Sequence, residues 1–187
     1  MLEKVLSLDT DLFVYLNGLG SSQYDGLWLV ITKQLNWLPL FLLLLYLIFK
    51  KLGTKQTLFL LVFIAILLTF TDQVTNLFKN GFQRLRPCNN PEINALIRIV
   101  KKSNSYSFFS GHAANSMAVA TLLYFTLRQY SSYFTLLFLW PLIFAYSRIY
   151  LGLHYPLDIF CGYLFGIFSG FLFYTIYKKA QKKYFPV

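Results

Sequence analysis

Charge is scarce in this chain. Only 13% of its 187 residues are Asp, Glu, Lys or Arg, about half the 25% usual in a soluble domain. Acidic residues are scarcer still, 7 against 17 Lys plus Arg, for a net charge of +10. Between residues 103 and 177 the only charges are Arg128, Arg148 and Asp158, which leaves long stretches that water cannot hold. With 57% hydrophobic and 20% aromatic residues, the basic surplus points to anionic lipid and away from nucleic acid. Cysteine occurs twice, at 88 and 161, with no CxxC or Cys/His ligand spacing; both are expected to be free, and neither a zinc site nor a disulfide framework is indicated. An uninterrupted apolar run near the N-terminus is also missing, because Glu3, Asp9 and Asp11 break it. A cleaved signal peptide is therefore not expected, and the first membrane helix would serve as the anchor. No repeat or low-complexity linker divides residues 1–187, so one domain is predicted.

What the chain has in quantity is apolar sequence between charges. A bilayer-spanning helix takes about 20 residues. Five such stretches occur, at 34–49, 56–71 with a continuation to about Lys79, 113–127, 129–147 and 159–177. The fold class predicted is an all-α polytopic membrane bundle of five transmembrane helices. Residues 1–33 are too interrupted to span. Asp9 or Thr10 is expected to cap a short helix with Leu12, Phe13, Leu16 and Leu19 on one face, lying flat at the membrane surface as an interfacial segment; a sixth span here is the alternative.

Histidine is the rarest chemistry in the chain, and both copies sit at ends of apolar stretches among polar residues. Around the second, Ser147-Arg148 precedes His154, Pro156 suits the first turn of the last helix, and Asp158 follows in that turn. That carboxylate can hold one ring nitrogen of His154 and leave the other free to attack. Around the first, Ser110-Gly111-His112 opens a helix, where backbone N–H groups and the helix dipole favour an anion. A third block, Lys79 to Arg86-Pro87, supplies an ammonium and a guanidinium suited to phosphate oxygens.

These three blocks resemble the tripartite signature of the type 2 phosphatidic acid phosphatase (PAP2) superfamily, K-x6-RP, PSGH and SR-x5-H-x3-D. Six residues separate Lys79 from Arg86, five separate Arg148 from His154, and three separate His154 from Asp158. Phe109 stands where the family usually has proline, a departure that bears on the shape of the turn. The blocks fill residues 79–158 in the family's order. The resemblance implies a catalytic set of His154 as nucleophile, giving a phosphohistidine, Asp158 as its orienting partner and His112 as general acid. It also implies phosphate binding by Lys79, Arg86, Ser110, Gly111 and Arg148, with no metal or other cofactor.

The remaining polar residues receive separate readings. Arg84, outside the signature, reads as a lipid head-group contact. Asp72 shares a helical face with Asn76 and Lys79 and is expected to support Lys79. Gly162, Gly166 and Gly170 are expected to permit close helix packing within a monomer. Arg98, Lys101 and Lys102 read either as a lipid-gathering patch or as a solvated loop. With five spans, Lys50, Lys51, Lys55, Arg128, Lys178, Lys179, Lys182 and Lys183 fall on one side, which reads as cytoplasmic once Lys79, Arg86 and Arg148 are reserved for chemistry. The site then opens on the opposite face of a bacterial inner membrane. The function expected is a metal-independent lipid phosphatase, with undecaprenyl pyrophosphate favoured. Phosphatidylglycerol phosphate, phosphatidic acid and lipid A 1-phosphate are further candidate substrates. A phosphotransferase and a catalytically silent lipid-binding or transport protein are the rival readings.

Overall fold

The computed structural model describes residues 2–185. Regular structure among them is entirely helical: α1 Leu2–Gly18, α2 Asp25–Ile31, α3 Leu38–Phe82, α4 Gly111–Leu127, α5 Leu139–Tyr150 and α6 Pro156–Tyr184. Pro39 and Pro156 lie in the first turns of α3 and α6, where a missing N–H is harmless.

α3 has 45 residues, which as one straight rod would reach roughly 68 Å, more than twice a bilayer's hydrocarbon core. It is not straight. Gly53 leaves helical geometry with φ 72° and ψ 173°, a conformation only glycine adopts without strain. The chain reverses there, and Leu42, Leu45, Tyr46 and Phe49 of the first arm line one depression with Thr57, Leu58 and Leu61 of the second. The two arms, 38–52 and 54–82, are the first and second apolar stretches of the sequence. The second arm continues to Phe82, one turn beyond the boundary expected from its charges, and ends where Gln83 turns left-handed at φ 47°.

Among the described residues, three segments are long and apolar enough to cross a membrane: Gln34–Asn89, which holds both arms of α3, Ser132–Tyr150 and Pro156–Tyr184. Their lipid-facing sides carry exposed Leu58, Val62, Ile66 and Phe70 on α3 and Phe160, Leu164, Ile167 and Phe171 on α6. The segment ending in α5 starts with a 3₁₀ stretch at Ser132–Phe138 and runs three residues past the expected limit at Ser147. α4 is the central helix. Its 17 residues are mostly buried on every side, which is why it lacks an amphipathic stripe.

α6 lies parallel to α4 at very short range. A Cβ added at Gly162, Gly166 or Gly170 would meet the carbonyl oxygens of Ser110, Ala114 and Ala118 at 2.8, 2.6 and 2.5 Å. The glycine ladder is thus a seam inside the monomer. Because the two helices run in the same direction, their N-termini, bearing His112 and Asp158, emerge side by side.

The N-terminal segment departs from the short capped helix expected. α1 runs unbroken through Asp9 and Thr10, and Thr10 returns its hydroxyl to the Leu6 carbonyl at 3.0 Å. Asp9 is no cap because it is engaged across the fold. α1 lies across the site-bearing ends of α5 and α6: Phe13 is fully buried among Ala145, Ile149, Tyr155 and Ile159. Asn17 donates to the carbonyls of Ile149 and Tyr150 at 3.1 and 3.0 Å, satisfying groups that the end of α5 leaves open. Neither α1 nor α2 is among the segments suited to span. Cys88 and Cys161 are free, as expected.

Candidate active site

The short link between α5 and α6 places the second histidine. Gly152, at φ 81°, turns the chain after α5, and a Cβ there would meet the Arg98 carbonyl at 3.0 Å. His154 and Asp158 then stand four residues apart where α6 begins. Asp158 is fully buried and receives donors on both oxygens. Tyr155 N–H donates to Oδ2 at 3.0 Å, closing a capping box at the helix start. Ser107 Oγ donates to the same oxygen, and Arg84 Nη1 donates to Oδ1 at 2.7 Å. His154 Nδ1 lies 3.3 Å from Oδ2.

His154 Nε2 lies 3.0 Å from Arg86 Nη1. A guanidinium has no acceptor, so Nε2 must carry the lone pair and Nδ1 the hydrogen. This is the tautomer a nucleophile needs, and it is fixed from both sides. Burial pushes the His154 pKa well below the ordinary imidazole value, and the positive charges of Arg86, Arg148, Lys79 and Arg84 push it in the same direction. The ring is neutral and surrounded by cations.

Those cations are held by separate parts of the chain. Arg86 is 4% exposed; it donates to Ser105 O at 2.7 Å, Ser105 Oγ at 2.9 Å and Leu153 O at 3.0 Å. Arg148, 6% exposed, donates through Nη1 to Thr32 Oγ1 at 2.6 Å, while its buried Nε has no partner. Lys79 closes α3 and brings its ammonium close to Gly111, where a Cβ would meet Nζ at 3.9 Å. Ser110 caps α4 through its hydroxyl, which accepts from Ala113 N–H at 3.4 Å, and its own N–H donates to the Asp158 carbonyl at 3.0 Å. His112, in the first turn of α4, stacks on Phe144 with ring centroids 4.9 Å apart. The eight residues picked out by sequence therefore come from three chain segments and gather at one end of the bundle.

Two readings, of Arg84 and Arg98, are corrected. Arg84 is not a lipid head-group contact: its guanidinium bridges Asp158 and Asp9, at 2.7 Å each, and lies 3.9 Å above the Tyr155 ring. Asp72 supports Lys79 by the attraction of its charge and not by a hydrogen bond; its carboxylate accepts from Asn115 Nδ2 on α4 at 2.6 Å. Arg98 is neither a lipid-gathering charge nor an unpaired one, because it pairs with Asp25 at 2.8 Å in a half-exposed ion pair; Lys101 and Lys102 are exposed. Ser107, Asp9, Thr32 and Ser105 were not foreseen. Each joins the site through a tertiary contact with no local sequence pattern.

Below the site a cavity of about 520 Å³ opens between the two arms of α3, α4 and α5. Lys79, Gly111 and His112 line its upper end, and Leu44, Ile48, Leu61 and Ile64 its lower part. An anion-binding end continuous with an apolar one suits an amphiphile carrying a phosphate.

A buried histidine–carboxylate pair ringed by arginine and lysine, at one end of an apolar helical bundle, is chemically suited to phosphoryl transfer. Residues 56–182 match the family model of the PAP2 superfamily, and the chain belongs to that superfamily; it is a membrane lipid phosphatase of the PAP2 type. It is 38% identical to a lipid A 4'-phosphatase of Bacteroides thetaiotaomicron, over 98% of this chain and 83% of the relative. It is 29% identical to an undecaprenyl-diphosphatase of Sulfolobus acidocaldarius, over 91% of this chain and 79% of that one. The fold is shared with the crystal structure of a PAP2-type phosphatidylglycerolphosphate phosphatase from Bacillus subtilis. The TM-score is 0.73 at 19% identity, covering 94% of this chain and 87% of the other.

Proposed function

We propose that this enzyme removes a phosphate monoester from an acylated lipid of the lipid A kind, through a phosphohistidine at His154. The observation that carries the mechanism is the fixed tautomer: Asp158 on Nδ1 and a donor-only arginine on Nε2. In the reaction Arg86 turns its donors from Nε2 to the phosphate oxygens, joined by Lys79, Arg148 and the start of α4 at Ser110 and Gly111. Nε2 attacks phosphorus and the P–O bond to the lipid breaks; His112, which takes up a second proton once the phosphate's negative charge offsets Lys79, Arg86 and Arg148 around it, gives that proton to the departing oxygen. His112 then takes a proton from water as that water attacks the phosphohistidine. Inorganic phosphate leaves, and both imidazoles return to their starting states. The clustered cations stabilise charge on the transferring group throughout.

The cavity supports the lipid half of the reading, since its apolar part accepts a chain while the phosphate stays at Lys79. The choice of lipid follows the 38% identity to a lipid A 4'-phosphatase across almost the whole chain. The undecaprenyl-diphosphatase relative supports a polyprenyl diphosphate as the second reading. We place the site on the face away from the cytoplasm, because the other end carries lysines at 50, 51, 55, 178, 179, 182 and 183 without acidic neighbours.

The test is phosphate release by detergent-purified protein in EDTA, wild type beside His154→Ala and His112→Ala. Release by wild type and a loss of several orders of magnitude in each variant is expected. An acid-labile, base-stable phosphoprotein that forms in His112→Ala and not in His154→Ala would identify the intermediate. Near-wild-type release by His154→Ala would overturn the mechanism.

A further inference from the structure

One helical turn below the catalytic level lies a second ring of polar atoms that the phosphotransfer chemistry does not use. Thr75 is four residues before Lys79 on α3, Asn115 three residues after His112 on α4, and Trp140 four residues before Phe144, the ring on which His112 stacks. Given the directions of the three helices, each step leads away from the site, by about 5–6 Å. All three side chains line the cavity. In each, one buried polar atom has no hydrogen-bond partner: Thr75 Oγ1, Asn115 Oδ1 and Trp140 Nε1.

Such atoms are costly to leave unmet, and here three occur about one turn from the site. Thr75 is the informative case. Thr57, Thr69 and Thr71 on the same helix each return the hydroxyl to a carbonyl one turn back, and Thr75 does not. The amide nitrogen of Asn115 is already given to Asp72, so its free Oδ1 can only accept, whereas the Trp140 indole can only donate. The ring therefore asks for a group that offers both a donor and an acceptor.

We infer that Thr75, Asn115 and Trp140 form a specificity collar, which selects lipid phosphates bearing a hydroxyl or amide within a few bonds of the phosphate. The inference rests on the lipid phosphatase reading and narrows it. An acylated sugar phosphate carries such groups at this distance from phosphorus. A polyprenyl phosphate presents only hydrocarbon there. A diacylglycerol phosphate presents ester oxygens, which satisfy Trp140 and leave Asn115 without a donor.

The experiment compares kcat/KM on three probes: an N-acylated glucosamine phosphate, dioleoyl phosphatidic acid and a polyprenyl monophosphate. Wild type, Thr75→Val, Asn115→Leu and Trp140→Phe are each measured in detergent. Selectivity for the sugar lipid over the polyprenyl phosphate is expected to fall roughly tenfold per variant, as for the loss of one substrate hydrogen bond. On phosphatidic acid, Trp140→Phe should cost more than Asn115→Leu. Because the readout is a ratio within one preparation, partial misfolding does not imitate it. Equal proportional losses on all three probes, or unchanged ratios, would overturn the collar and leave the phosphatase reading intact. Wild-type silence on every probe would instead overturn the reading on which the collar rests.

Discussion

At the scale of residues, the site depends on a buried carboxylate that is held in place from behind. Asp158 contacts His154, but it also shares the Arg84 guanidinium with Asp9 of α1. Asp9 in turn accepts the Leu157 N–H at 2.7 Å, so the chain Asp9–Arg84–Asp158–His154 ties the N-terminal helix to the proposed nucleophile. Removing Arg84 would leave two largely buried carboxylates without their cation. Arg84→Gln is expected to destabilise the protein by about 2–4 kcal/mol and to lower kcat by 10- to 100-fold with a smaller effect on KM. Arg84→Lys should recover part of both, and thermal unfolding beside steady-state kinetics would check the split. The depressed pKa of His154 has its own consequence. A base that resists protonation when folded stays neutral as the pH falls through 6.5, where the unfolded chain takes up its proton first. Its contribution to stability is therefore complete above about pH 6.5 and declines below it. Ring NMR of the ligand-free protein should show no His154 titration between pH 8 and pH 6; an imidazolium midpoint near 6.5 would contradict the packing of cations around it. The candidate site residues are legible in the sequence because each signature block is local: Arg148, His154 and Asp158 fall within eleven residues of chain. Arg84, Ser107 and Asp9 were not, since Asp158 meets Arg84 across 74 positions and Ser107 across 51, and nothing local marks such a meeting.

At the scale of elements, the α4–α6 seam sets the distance between the two halves of the proposed catalytic machinery. Ser110, Gly111 and His112 ride on α4, while His154 and Asp158 stand at the start of α6. The glycine ladder fixes how close these helices come. A methyl group at Gly166 would lie 2.6 Å from a backbone carbonyl and 2.9 Å from Met117 Cβ, neither of which is the free end of a flexible side chain. Gly166→Ala should cost about 1–3 kcal/mol and reduce activity by moving α6 away from α4. Gly26→Ala, where nothing lies within 4 Å, should do neither. Melting temperature in detergent together with phosphate release distinguishes seam from surface. The four-residue glycine spacing and the charge-bounded stretches made the helices and this seam readable in sequence. Their ends were less so. Charges placed the limit of the last helix at Tyr177, yet α6 extends to Tyr184, because Lys178, Lys179, Lys182 and Lys183 are good helix formers that suit a helix C-terminus. α1 was misread for the related reason that Asp9 and Asp11 look like breaks until a tertiary cation holds Asp9 inside the helix.

At the scale of the whole molecule, the two ends of the bundle are built differently. At the site end most charges are committed. Arg84, Arg98 and their carboxylates form ion pairs, Arg86 and Arg148 are buried, and α1 and α2 fold back over the helix ends. The opposite end holds lysines that pair with no carboxylate among the described residues, around the Gly53 reversal and the end of α6, which are joined by a Gln181–Gln56 hydrogen bond of 2.7 Å. A raw count of basic residues barely separates the two ends. Once paired and buried cations are removed from the count, the lysine end is clearly the more basic, which is the basis for proposing it as the cytoplasmic end. That orientation makes a prediction in which the two ends give opposite answers. In a background with Cys88 and Cys161 replaced, a cysteine at exposed Asn104 should react with an impermeant maleimide added to intact cells. One at exposed Thr54 should react only after the membrane is opened. The reverse pattern would turn the molecule over, and a site facing the cytoplasm would have to meet its lipid phosphate in the inner leaflet.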